Sequence, residues 1–432
     1  MSAPFLLDIQ RIVPGGRGLG LHQGQVVFAP LAVPGDRLEV RRWAEHKGYL
    51  EVLDSRLVHL SPDRVSPPCP YFGSCGGCDF QQMSASQQTV AKRDMLIDAL
   101  RRVGKIQLDP SQIRLHRCES SGYRNRLQLK PIQDAKKLSW GFYKMGSHEV
   151  CKVDACLIAS SALWAQLEIL GKVLSEIPEV ATRIEEVEVF WGDERKCLVT
   201  VTLRDVPREL AEILSPTQSA AGFLESHGFS VSMVDSRGQS HLWCSPGFVW
   251  KTVGTFRYRV SHGAFFQVND LMLPILQSLA TQGLAGTKAL ELFCGVGFFT
   301  LPLSSSFERV EVMEGNPVSV ADLEENLREN QIKNCSVAGG DLLSALREGR
   351  LLSGQFDLLF IDPPRAGLPK PTVEAIAGLN CRDFVYVSCD PATLARDLKI
   401  LRSSNYEIVS LDLLDLFPQT HHLETVARLR KL

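Results

Sequence analysis

The sequence predicts an α/β protein: a doubly wound, mostly parallel sheet over residues 261–432, preceded by a small OB-like β-barrel at 1–58 and a central α+β domain at 59–260. Three observations predict it. Beyond residue 260, strand-like apolar runs alternate with helix-like segments, the pattern made by parallel strands joined through crossover helices. The N-terminal segment instead carries short alternating runs punctuated by Gly and Pro, as small barrels do. At 432 residues, the chain also exceeds what one hydrophobic core holds together.

Taken in order, residues 9–13, 25–29, 37–40 and 49–53 read as strands separated by turns at Gly15-Gly16, Gln23-Gly24 and Gly35-Asp36. Barrels of this size often bind RNA, although the strands alone fit a purely structural module equally well. A Pro-rich connector, from Ser61 to Pro68, leads into a group of cysteines. A helix is predicted over 84–103, where Val90, Leu96, Ile97 and Leu100 recur among basic residues. Residues 113–260 mix strand-like runs (127–130, 187–191, 197–201) with one or two helices, an antiparallel α+β pattern. The regular alternation then begins: a strand at 288–293, a glycine loop and a helix, a strand at 310–314, a helix at 317–329, and strands at 356–361 and 384–388.

Composition sets bounds. Hydrophobic residues at 44% and charged residues at 22% are ordinary for a globular protein, and a net charge of −2 announces no polyanionic partner. Between Lys92 and Lys137, however, twelve Lys and Arg stand against five Asp and Glu. Taken alone, such a run is a solvated face; it becomes a phosphate-binding surface only if other features demand a polynucleotide. No apolar run reaches about 18 residues, and no leader-like segment opens the chain, so a soluble cytoplasmic protein without membrane contact is expected. Twelve cysteines then point to metal ligation, catalysis or plain burial rather than disulfides.

Cys69, Cys75 and Cys78 follow a C-x5-C-x2-C spacing on a loop rich in Gly and Pro. Three thiols this close converge readily on one centre, with Cys156 as the preferred fourth ligand and Cys118 and Cys151 behind it. The spacing leans toward a [4Fe–4S] cluster but leaves tetrahedral zinc open.

Glu291 to Thr300 joins strand to helix, with Gly295 and Gly297 allowing a tight turn and close approach of a ligand. Glu314 ends the next strand, where a carboxylate accepts ribose hydroxyls, and Asp341 follows the third strand, near where an adenine amine would lie. A dinucleotide fingerprint would have glycine at Thr300. The acidic residue before G-x-G, with Asp362-Pro363-Pro364 later, favours S-adenosylmethionine over NAD.

Cys389 follows an apolar run at the expected mouth of the sheet. With Asp362 upstream and Glu424 downstream, it suits covalent chemistry on a ring carbon too inert for direct methylation.

Together these motifs resemble the RNA uracil-5-methyltransferases, in particular the iron–sulfur branch that modifies 23S ribosomal RNA and begins with a TRAM domain. The likeness runs over nearly the whole chain. Its most specific parts are Ser388-Cys389-Asp390-Pro391 and the segment from Phe417 to Val426; Phe265-Phe266-Gln267-Val268-Asn269 is similar to the family's F-x-Q-x-N. One departure is Phe298, where relatives often carry Asn. The resemblance implies Cys389 as nucleophile at uracil C6 and Glu424 as the base removing the C5 proton. It implies Gln267, Phe293, Gly295, Gly297, Glu314, Asp341 and Asp362 as donor and uracil contacts, and Cys69, Cys75, Cys78 and Cys156 as ligands of a [4Fe–4S] cluster.

The implied partner is 23S rRNA, with no obligate protein partner. Phe265 or Phe266 is expected to stack on the flipped base, while Tyr123-Arg124-Asn125-Arg126, Arg101, Arg102 and the N-terminal barrel are expected to face RNA. Three other functions stay open: methylation of the tRNA T-loop uridine, a non-catalytic RNA-binding assembly factor, and a redox enzyme using a dinucleotide.

Overall fold

The computed structural model describes residues 3–134, 137–206, 210–340, 345, 355–379 and 381–432. At the N-terminus six strands form one sheet in the order Phe5–Asp8, Arg37–His46, Tyr49–His59, Gln25–Ala29, Gly18–His22, Arg11–Ile12. Its first and last members are successive pieces of one run, so the two ends of the sheet return to each other. Gly20 sits where they meet: a Cβ there would collide with the Asp8 carbonyl. Leu7, Val27, Val40 and Leu50 fill the interior. The buried Asp36 carboxylate ties this unit to the connector, accepting from the Val33 (2.7 Å) and Ser61 (3.0 Å) amides and pairing with Arg64 at 2.5 Å. A buried carboxylate is tolerated because its oxygens are bonded.

The central seven-stranded sheet runs Val150–Lys152, Lys137–Tyr143, Arg126–Asp134, Ile184–Trp191, Cys197–Leu203, Phe229–Val234, Ser240–Cys244. Its neighbours are antiparallel except for Cys197–Leu203 beside Phe229–Val234. The helices Ser161–Ser175 and Gln218–Ser226 contribute Leu163, Leu167, Leu170 and Leu224 to its core.

The C-terminal sheet has eight strands in the order Cys335–Gly339, Phe307–Glu314, Gly286–Leu292, Leu358–Ile361, Asp383–Ser388, Glu424–Lys431, Tyr406–Leu414, Ile113–His116. All pair in parallel except Glu424–Lys431, which runs against both neighbours. Leu358–Ile361 and Asp383–Ser388 are buried throughout, which is why they read as unbroken apolar runs.

The stretch that the sequence assigns to one central unit divides in space. The predicted helix forms at Ala85–Ala99 with Ser84 as its cap, and it continues as a π-turn over Leu100–Gly104. That helix and the edge strand Ile113–His116 pack with the C-terminal sheet. Arg114 (2.7 and 2.5 Å) and His116 (2.9 Å) close on the buried Asp412. Such a short strand carries no local sign of a partner so distant in sequence.

Candidate active site

Four parallel strands end, and the antiparallel one begins, around a cavity of about 570 Å³. The loop after Gly286–Leu292 supplies Phe293 and Gly295; Phe307–Glu314 ends in Glu314; Asp362 follows Leu358–Ile361 and Cys389 follows Asp383–Ser388. Glu424 is the first residue of the antiparallel strand, and the pairing of Ser388 with Thr425 brings it to Cys389. Gln267 and Phe265 reach the same cavity from the segment after the hairpin Phe248–Val253/Phe256–Ser261. The crevice lies where strand order reverses, the place open α/β sheets hold ligands.

The glycine loop is shaped by its own chemistry. Phe293 adopts φ 62°, a conformation costly for a bulky residue, and Gly295 follows at φ 55°. The Glu314 carboxylate ties the loop to the turn that follows its own strand, accepting from the Gly295 amide at 2.9 Å and the Asn316 amide at 2.7 Å. Gly297 does not line the cavity. At φ 92°, it packs so near the helix Pro317–Glu329 that a Cβ would lie 2.5 Å from Leu323 Cδ1. Glu291 also lies beneath the loop, with the Thr300 hydroxyl donating to it at 2.7 Å. Asp341 lies outside the described residues.

Electrostatics at the cavity are dominated by burial. Glu424, only 4% exposed, has its carboxyl held well above the ordinary range by desolvation and by Asp362 beside it. Burial likewise pushes Asp362 up to about 7. The Cys389 thiol is pushed up to about 12 by burial first, then by Glu424 and Asp362, while Arg365 acts the other way. The site therefore holds its protons tightly until a ligand or a counter-charge changes the balance.

Of the adjacent aromatics, Phe265 is 61% exposed at the cavity, whereas Phe266 is 2% exposed and packs against Phe190, Tyr258 and Phe298. Phe266 borders the same cavity but, buried among those rings, it is a core residue, and Phe265 is the ring exposed at the opening.

A second cavity of about 390 Å³ opens on the other side of Cys389, lined by Gly76, Gly77, Cys78, Asp79, Arg124, Arg365 and His421. Beyond it, Cys69, Cys75, Cys78 and Cys156 line one cavity of about 180 Å³, without Cys118 or Cys151. Burial pushes Cys75 up to about 11 and Cys78 up to about 12, with the neighbouring thiols adding to the effect. Among the described residues, no three His, Cys, Asp or Glu side chains converge closely enough for a single metal ion.

The cysteine loop is bound to the segment that leads to Glu424. The Asp79 (3.1 Å) and Phe80 (3.0 Å) amides donate to the Gln419 carbonyl, and Asp79 pairs with His421. Sequence reasoning missed this contact, and with it Arg365, which lines both the 390 Å³ cavity and the larger one.

Of the residues expected to face RNA, Tyr123 and Asn125 are buried, and the four arginines differ. Arg126 is engaged by Glu188 (2.6 Å) and the Ala264 carbonyl, and Arg101 and Arg102 pair with Asp98 at the surface. Arg124 donates to the Arg126 carbonyl at 2.9 Å and lines both the cysteine cavity and its neighbour.

Fold and cavity thus define a methyltransferase-type α/β enzyme with a cysteine and a carboxylate at its mouth. The model of the tRNA (uracil-5-)-methyltransferase family matches residues 87–432. An uncharacterized RNA methyltransferase of Aquifex aeolicus is 33% identical over 99% of this chain and 98% of its own length. The 23S rRNA (uracil(1939)-C(5))-methyltransferase of Shewanella amazonensis is 31% identical over 99% of this chain and 96% of its own. Among solved structures, the tRNA (uracil-54, C5)-methyltransferase of Pyrococcus abyssi, in complex with S-adenosyl-L-homocysteine, superposes with a TM-score of 0.76 at 23% identity, covering 98% of this chain and 99% of that one. The chain belongs to the tRNA (uracil-5-)-methyltransferase family. It is an enzyme, an RNA (uracil-5-)-methyltransferase. Among the described residues no helix is long and apolar enough to cross a membrane.

Proposed function

We propose that the protein methylates C5 of a uridine in 23S ribosomal RNA, with S-adenosylmethionine as methyl donor, through a covalent adduct between Cys389 and uracil C6. One observation carries the reading: Cys389, Glu424 and Asp362 open into a single cavity with the glycine loop and Glu314. Uracil C5 is a poor nucleophile within its conjugated ring. Thiolate addition forms the S–C6 bond and moves the C5–C6 π electrons into an enolate, so that C5 carries the density. C5 takes the methyl group as the donor sulfonium leaves as a thioether. Glu424 then receives the C5 proton, and expulsion of Cys389 restores the double bond.

For the donor, support comes from the Glu314 carboxylate, positioned for ribose hydroxyls, and from Gly295, where a Cβ would meet nothing within 4 Å. Gln267 and Phe293 complete its walls, Gly297 serves by letting the loop pack, and Asp341 remains a proposed adenine contact. Asp362 serves the uracil, and Phe265 is the face on which the flipped base stacks.

The four cysteines around one cavity support a [4Fe–4S] cluster held by Cys69, Cys75, Cys78 and Cys156. Four thiols lining one cavity match the four thiolates that such a cluster takes. Bound there, it would brace the loop that carries Asp79 against the segment leading to Glu424. We assign residues 1–58 as a TRAM-like barrel of OB type contributing RNA contacts, 59–260 as the cluster-bearing domain apart from the helix and strand over 85–116, which join the C-terminal sheet, and 261–432 with that helix and strand as the catalytic domain.

Ribosomal RNA is favoured by the Shewanella relative at 31% identity. The family's description as tRNA (uracil-5-)-methyltransferases supports a second reading, T-loop methylation; the Pyrococcus enzyme, at 23% identity, speaks for the fold alone. Trapping tests the mechanism. RNA carrying 5-fluorouridine should form a denaturation-resistant complex that Cys389→Ala abolishes; a complex that survives Cys389→Ala would overturn the assignment.

A further inference from the structure

We propose that Arg365 is a positioning residue for the nucleophile, its guanidinium favouring the Cys389 thiolate before substrate arrives. The inference rests on the reading of Cys389 as nucleophile. Arg365 and Cys389 together line the 570 Å³ cavity, the 390 Å³ cavity and a third of about 30 Å³ beside the start of the helix Pro391–Ser403, so the two residues border each of the three cavities that reach the thiol's loop. Among the described residues, the ion pair of Arg365 is a loose one, with Nε 4.0 Å from Asp390 Oδ2. Asp390 is otherwise occupied, its Oδ1 capping that helix through the Ala392 and Thr393 amides at 2.9 Å. The guanidinium is therefore not locked into a carboxylate, as Arg126 is by Glu188.

The surrounding charges make such a cation necessary. Glu424, Asp362 and Asp390 all oppose ionisation of Cys389, and burial opposes it most. Around the 390 Å³ cavity, Asp79 is paired with His421, and burial keeps His422 neutral, at about 4. Arg124 faces the same cavity and adds positive charge further from the thiol. Only the thiolate adds to C6, so Arg365, acting against burial and the carboxyl groups, raises the small reactive fraction of the nucleophile. With its side chain 62% exposed, Arg365 acts through partly screened solvent, which limits the effect to about one pH unit, a tenfold change in thiolate.

Alkylation of the RNA-free full-length protein by iodoacetamide reads this directly. The thiolate displaces iodide, forming S–C as C–I breaks, with the thiol proton already lost to solvent; mass spectrometry of the Cys389 peptide gives the rate across pH. Arg365→Gln should alkylate about tenfold more slowly, its profile moved up by about one unit. Arg365→Lys should stay near the parent, and added salt should narrow the gap. A superimposable Arg365→Gln profile, with RNA affinity reduced, would make Arg365 a phosphate contact and overturn the proposal. Cys389→Ala with 5-fluorouridine RNA separates the two layers: loss of the adduct upholds the nucleophile whatever Arg365 does.

Discussion

Replacing Lys92 with methionine tests how the segment leading to the proposed general base is held. Lys92 is fully buried on the helix Ala85–Ala99; its ammonium lies 2.5 Å from an Asp415 oxygen and donates to the Phe417 carbonyl at 3.0 Å. Burial alone would lower its pKa, and Asp415 opposes that. Lys92→Met leaves a buried carboxylate without its counter-ion, a loss worth about 3–5 kcal/mol that already includes the bond to Phe417. Replacing the pair together, Lys92→Met with Asp415→Leu, removes both charges and should recover all but about 1 kcal/mol. Urea unfolding of the four proteins gives the cycle; with each single variant losing at least about 3 kcal/mol and the double about 1, the expected coupling is about 5 kcal/mol. A single variant that loses less than about 1 kcal/mol, or a double variant as unstable as the two singles summed, would refute the reasoning.

Three further outcomes are expected. Glu424→Gln should form the Cys389 adduct but release it slowly, lowering turnover by about 10²–10⁴-fold while trapped RNA accumulates on denaturing gels; turnover within tenfold of the parent would remove Glu424 from the base role. Asp362 is raised from 3.8 to about 7, so the folded protein keeps a proton that the unfolded chain releases; its share of the stability should fall as pH climbs from about 4 to 7, while Glu424 and Glu291, raised as well, carry the fall further. At full burial that slope amounts to about 4 kcal/mol, and to less because the carboxyl faces the cavity; Asp362→Asn should flatten it in pH-dependent urea titrations. Cys156→Ser should lower iron and sulfide content and visible absorbance of anaerobically purified protein, whereas Cys118→Ser should leave both unchanged.

The catalytic half was legible because buried parallel strands write themselves as apolar runs, as at Leu358–Ile361 and Asp383–Ser388, and because the residues at their carboxyl ends stand out against them. That Cys389 and Glu424 share a cavity was not readable from spacing; it follows from Glu424–Lys431 running antiparallel beside the cysteine's strand. Motif alone left Phe265 and Phe266 interchangeable, and only packing against Phe190 and Tyr258 consigns Phe266 to the core. Gly297 was expected at the ligand, yet its freedom from a Cβ is spent on Leu323. Strand Ile113–His116, the Asp79–His421 pair and Arg365 depend on partners far along the chain, which local pattern does not encode.

Release of tritium from RNA labelled at uracil C5, with S-adenosylmethionine and protein purified without oxygen, tests the central claim most directly. A 23S rRNA fragment and a tRNA are offered in parallel. The account predicts release from the rRNA in step with methyl incorporation, and none with Cys389→Ala. Methyl incorporation without tritium release, or release at the parent rate by Cys389→Ala, would contradict it.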